Sequence, residues 1–120
     1  SPGYASVVRF WEGWADGSLG LPFQSCTTAQ AYAAYTAWCR NAGASHTLRR
    51  ESFTQAVQEC SRRRGRTATV KVMRLGTGLD APAARMLLVS EPPAEAQGAW
   101  AGEVVGTFTQ QLDGFLQAAA

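Results

Sequence analysis

Residues 27–66 read TTAQAYAAYTAWCRNAGASHTLRRESFTQAVQECSRRRGR, and two helical patterns meet inside that stretch. Over 27–43 the apolar residues Ala31, Tyr32, Tyr35, Trp38 and Cys39 fall at i, i+1, i+4, i+7 and i+8, one face of a helix. Thr27 or Thr28 can cap its start, and Gly43 is a natural stop. A short connection through Ala44-Ser45-His46 leads to a second helix over 48–61, for which Ser45 and Thr47 offer caps. Phe53, Ala56, Val57 and Cys60 form its inward stripe. At about 100° per residue the opposite face carries Glu51, Thr54, Gln55, Gln58 and Arg62. Arg62-Arg63-Arg64-Gly65-Arg66 follows directly.

Downstream the period changes from helical to alternating. Residues 67–75 place Ala68, Val70 and Val72 on one face and Thr69 and Lys71 on the other, as a strand does. Gly76 to Pro82 reads as a loop and 84–89 as the returning strand, which completes a hairpin. Two helices joined by a short turn, the second one basic and followed by a hairpin, make a winged helix-turn-helix. The fold class expected is mainly α with a β-hairpin.

Upstream, Val7, Val8, Trp11 and Trp14 mark a first helix over 4–15, ended by Asp16-Gly17. An extended connection over 19–26 follows, with Pro22 barring a helix and Phe23 directed to the core. After Glu91-Pro92-Pro93-Ala94 the residues Trp100, Val104, Phe108, Leu112 and Phe115 or Leu116 recur every three or four positions. They mark a long final helix, loosened by Gly102, Gly106 and Gly114, with Ala118 to Ala120 fraying. It folds back on the first helix or pairs with a second copy, and the stripe alone fits core and interface equally. The expected division is a winged-helix domain over 1–91 and a C-terminal helix over 92–120, packed on that domain or on a partner.

Composition sets the class. A chain of 120 residues, 46% hydrophobic and 17% charged, is the size and make-up of one globular domain. No apolar run approaches the roughly 20 residues that span a bilayer, so no membrane partner is expected. Ser1-Pro2-Gly3, without an initiator Met, reads as the edge of an excised domain with a tag remnant. The net charge of +2 is unevenly placed. Ten basic residues between Arg40 and Arg85 face Glu51, Glu59 and Asp80, while the flanks set Arg9 against six acids. A basic middle between acidic ends points to a polyanionic partner. Cys26, Cys39 and Cys60 are odd in number and lack a C-x-x-C spacing, so they read as buried thiols in a reducing cytoplasm. With His46 the only histidine, no zinc set is expected, nor any other metal or cofactor. His46 also has no acid nearby in sequence to orient it as a general base, so the domain reads as non-enzymatic.

Three segments together resemble a known family. They are Val8-Arg9-Phe10-Trp11, the run from Ala31 through Tyr35, Trp38, Cys39 and Arg40 to Gly43, and Leu48-Arg49-Arg50-Glu51-Ser52-Phe53. They resemble the C-terminal domain of phage and plasmid replicative primase-helicases, where a winged helix follows a superfamily-3 helicase. The likeness covers about the first two thirds of the chain. This chain departs from the pattern at Leu48, where the family often has a capping Ser, which shifts the expected cap to Thr47. Its hairpin is also less basic, and the last helix lies outside the pattern. No nucleotide-binding loop or primase motif is present, so those activities do not carry over.

The function expected is duplex DNA binding in plasmid or phage replication, with single strands left open as a target. The helix over 48–61 would enter the major groove, with Gln55 and Gln58 suited to adenine edges and Arg49 and Arg50 to guanine. Arg62, Arg63, Arg64, Arg66 and Lys71 would hold phosphates, with Thr54 a weaker candidate for either role. The alternative is a protein-interaction module docking a partner through the Trp100–Leu116 helix, since this fold hosts both roles.

Overall fold

A computed structural model describes residues 1–120. Its elements are α1 (Pro2–Ala15), β1 (Cys26–Thr27), α2 (Thr28–Ala42), α3 (Arg50–Arg63), β2 (Thr69–Arg74), β3 (Ala83–Leu88) and α4 (Gln97–Ala119). The three strands form one antiparallel sheet in the order β1-β3-β2. This is a winged helix-turn-helix closed by a fourth, long helix.

α1 begins earlier than its apolar stripe implies. Ser1 caps it by accepting from the Tyr4 amide at 3.2 Å, and Pro2 takes the first turn, where its missing N–H costs nothing. Gly3 is buried, because a Cβ there would overlap Leu48. The first three residues therefore belong to the fold. Val7, Phe10, Trp11 and Trp14 are buried and Val8 is half-buried. Phe10 is the hub, with ring centroids 5.7–6.1 Å from Trp14, Tyr35, Trp38 and Phe53.

Thr27 caps α2 in a reciprocal box with Gln30, each bond 3.0 Å, and Gly43 ends it in the left-handed conformation at φ 70. The turn into α3 is then gripped by α2. Tyr35 Oη accepts from the Leu48 amide at 3.1 Å, Tyr32 Oη donates to the Leu48 carbonyl at 2.9 Å, and Ser6 Oγ sits 2.6 Å from Tyr35 Oη. Burial holds the Tyr35 hydroxyl above its ordinary pKa. α3 starts at Arg50, two residues later than expected, and Arg49 rather than Thr47 takes the cap position without a side-chain cap bond. Leu48 is held by the two tyrosines and so stays outside the helix.

β1 is two residues long and has no pattern of its own, yet Cys26 and Thr27 pair with Leu87 and Met86. β3 is thereby the middle strand. Its Leu87 joins Ala68, Phe53 and Val57 in the helical core, while Met86 and Leu88 turn to the other face with Met73. α4 covers that second face through Ala101, Trp100 and Val104, and its Phe108 and Leu112 enter the main core. Its chief neighbours are α2 and β2, and it meets α1 through Phe108 and Trp14, 6.1 Å apart. Gln24 and Gln30 tie it down, donating to the carbonyls of Val104 at 2.9 Å and Val105 at 3.2 Å. Two glycines permit the approach at its start. A Cβ on Gly98 would collide with the Gly76 carbonyl, and one on Gly102 would lie 3.2 Å from the Leu75 backbone. Gly102, expected to loosen the helix, instead seats it. Ala101, Phe108 and Leu112 of the α4 stripe are buried in this chain, Trp100, Val104, Phe115 and Leu116 are half-buried, and its outer side chains, including Glu103, Thr107, Gln110, Gln111 and Asp113, are polar.

Candidate nucleic-acid interface

The face of α3 turned from the core presents Arg50, Glu51, Gln55 and Arg62 to solvent, with Gln58 half-buried among them. Helical rotation alone gathers these residues, and Phe53, Val57 and Cys60 anchor the opposite side. Thr54 is different. It is buried, and its hydroxyl donates to the Arg50 carbonyl at 2.9 Å, which leaves little of it for a ligand.

Beside this face lies a groove of about 310 Å³ lined by Thr28, Arg50, Glu51, Thr54, Gln55, Gln58 and Arg85. No hydrophobic side chain lines it. Arg85, outside the expected site, is brought there by strand register. It pairs with Val72, and both lie on the sheet face that carries Leu87 towards the helices. Lys71 pairs with Met86 and so projects from the opposite face, the one α4 covers. The hairpin thus contributes Arg85 to the groove, not Lys71.

The arginine tetrad does not form one ridge. Arg62 is exposed on the groove side and makes no ion pair. Arg63, one residue on and about 100° round the helix, pairs with Glu59 at 2.9 Å. Arg64 pairs with Glu12 of α1 at 3.1 Å. The chain then reverses at Gly65, whose φ of 72 suits glycine, and Arg66 is turned over the Phe23 ring, 5.9 Å from its centroid. Arg64 and Arg66 share a hollow with Trp11, Glu12 and Asp16. Asp16 is acidified by hydrogen bonds from Ser18 and carries its charge there. The acidic end of α1 therefore pairs with Arg64 and lies beside Arg66. Spacing in sequence groups residues that a helix end and a tight turn send to different sides.

Arg49 and Arg50 are exposed at the start of α3, and neither makes an ion pair. The cost of two cations beside a helix N-terminus is a few tenths of a kcal/mol to about 1 kcal/mol each, and Glu51 in the same turn offsets part of it. His46 is exposed in the turn, where it shares a shallow hollow with Arg9, Ser45 and the start of α1. Cys26, Cys39 and Cys60 are free and buried, and burial pushes the Cys26 and Cys60 thiols up from their ordinary pKa.

No helix is long and apolar enough to cross a membrane. No protein-family model, curated protein or solved structure matches this chain.

Proposed function

We propose that the chain binds duplex DNA, with α3 in the major groove and the β2–β3 hairpin alongside it, in the manner implied by its resemblance to the C-terminal domain of replicative primase-helicases. The observation that carries this reading is the wholly polar groove between α3 and Arg85, bordered by cations without acidic partners. An α-helix fits a major groove about 12 Å wide, and a helix enters it by its outer face and N-terminal end. Gln55 and Gln58 suit adenine edges, and Arg50 suits guanine, each bidentate contact being worth about 1–3 kcal/mol of discrimination. Arg49, Arg62 and Arg85 hold phosphates on either side of the inserted helix and set its register.

Fluorescence anisotropy on a labelled random-sequence duplex tests the proposal. Three cations on three phosphates give a slope of about −2.7 in log K against log salt, a loss of about 40-fold between about 50 and 200 mM. Binding that is absent at low salt, or indifferent to salt, overturns it.

A further inference from the structure

The fold leaves two large hydrophobic side chains open to water, Leu79 at 98% and Val72 at 63%. Both are on the hairpin. Scattered surface apolar residues are ordinary, so exposure alone means little. These two share a cationic element. Val72 lies on the same sheet face as Arg74 and Arg85, and Asp80 is the one acid on the hairpin.

The tip that carries Leu79 is also braced. The Leu75 amide donates to the Pro82 carbonyl at 2.8 Å, Arg74 Nη1 donates to the Ala81 carbonyl at 2.7 Å, and the Ala81 amide closes a tight turn on Gly78 at 3.1 Å. Gly98 at the head of α4 abuts the Gly76 carbonyl and backs the stem from behind. A leucine held outward on a rigid stem gains free energy only by meeting apolar surface. Its basic stem selects a polyanion. Duplex DNA supplies both, because its stacked bases lie behind the phosphates.

We infer that Leu79 is a wedge that enters the minor groove next to the major groove occupied by α3 and partly unstacks a base step, bending the duplex. The inference rests on the DNA-binding reading above and adds how the hairpin would act within it. Leu79 lies in the turn beyond the last paired residues of the hairpin, Arg74 and Ala83, so it leads the wing. Unstacking costs least at flexible pyrimidine–purine steps, so the wedge favours TA and CA over stiff A-tracts.

The test uses a duplex of about thirty base pairs with a donor and acceptor at its ends and 2-aminopurine beside a central TA step. The intact protein is expected to raise 2-aminopurine emission and shorten the end-to-end distance. Leu79→Ala abolishes both and weakens binding roughly three- to tenfold, with the salt slope unchanged, and Leu79→Met restores them. Because Leu79 packs against nothing, these variants melt with the parent protein. Salt-dependent binding by the parent without unstacking overturns the wedge and leaves the DNA reading in place, as does unstacking that survives Leu79→Ala. Absence of binding by the parent overturns both. Unchanged DNA binding by Leu79→Ala with lost affinity for phosphatidylserine vesicles assigns the tip to an anionic lipid surface instead.

Discussion

Replacing Arg85 by Ala in one protein and Arg64 by Ala in another separates two arginines that the sequence counts as the same kind of charge. Arg85 stands free in the groove beside α3, whereas Arg64 is drawn to Glu12 on the far side of Gly65. If Arg49, Arg62 and Arg85 each neutralise one phosphate, losing Arg85 changes the slope from about −2.7 to about −1.8. The drop in affinity between about 50 and 200 mM salt then shrinks from about 40-fold to about 12-fold. Arg64→Ala leaves the larger figure standing. Neither change threatens the fold, since Arg85 is exposed and the Arg64–Glu12 pair is a surface ion pair worth at most about 1 kcal/mol. Anisotropy titrations at four or five salt concentrations give the slopes directly. Equal flattening by the two substitutions, or flattening by Arg64→Ala alone, would refute the division of the arginines into groove and back.

Three further outcomes concern the scaffold. Gly98→Ala forces a Cβ into the Gly76 carbonyl and is expected to cost about 1–3 kcal/mol in urea unfolding, whereas Gly106→Ala, with open space around it, gains up to about 1 kcal/mol from helix propensity. Tyr35→Phe strips the acceptor from the Leu48 amide and the partner from Ser6, and should lower stability by about 1–3 kcal/mol. A loss under a few tenths would show that the turn does not depend on that hydroxyl. Cys26 is buried with its thiol pKa raised, so its contribution is complete below the unfolded value of about 8.5 and declines as pH rises above it. Unfolding free energy should fall by up to about 1.4 kcal/mol per pH unit from this group, and Cys26→Ala should flatten that part of the profile.

Much of the scaffold is written in local periodicity. Tyr35, Phe53, Val57 and Cys60 lie where helical spacing puts them, and the hairpin pairs Val70 with Leu87 in the expected antiparallel sense. Other features depend on partners far along the chain. β1 has only Cys26 and Thr27, and nothing in two residues reveals a strand until Leu87 and Met86 pair with them. Val72 continues the alternation of Ala68 and Val70 but runs past the edge of the core, while Met73 is buried because α4 covers the second face of the sheet. Gly98 and Gly102 look like weak points in a helix until the Leu75–Gly76 backbone appears against them. The candidate face is partly readable, since Arg50, Gln55, Gln58 and Arg62 follow from helical rotation. Arg85 required the register of β3, and the departure of Arg64 and Arg66 required the reversal at Gly65.

That reversal has a consequence at long range. With Arg64 paired to Glu12 and Arg66 turned beside Asp16, much of the positive charge at the rear of α3 is offset, while the front keeps Arg49, Arg50, Arg62 and Arg85 against Glu51. The net charge is only +2, yet it is unevenly placed, with unpaired arginines beside the front of α3 and acids at the end of α1. If a polyanion is the partner, such uneven charge exerts a torque during approach that favours the face with more free cations. Orientation would thus be settled in the encounter, ahead of any side chain meeting a base.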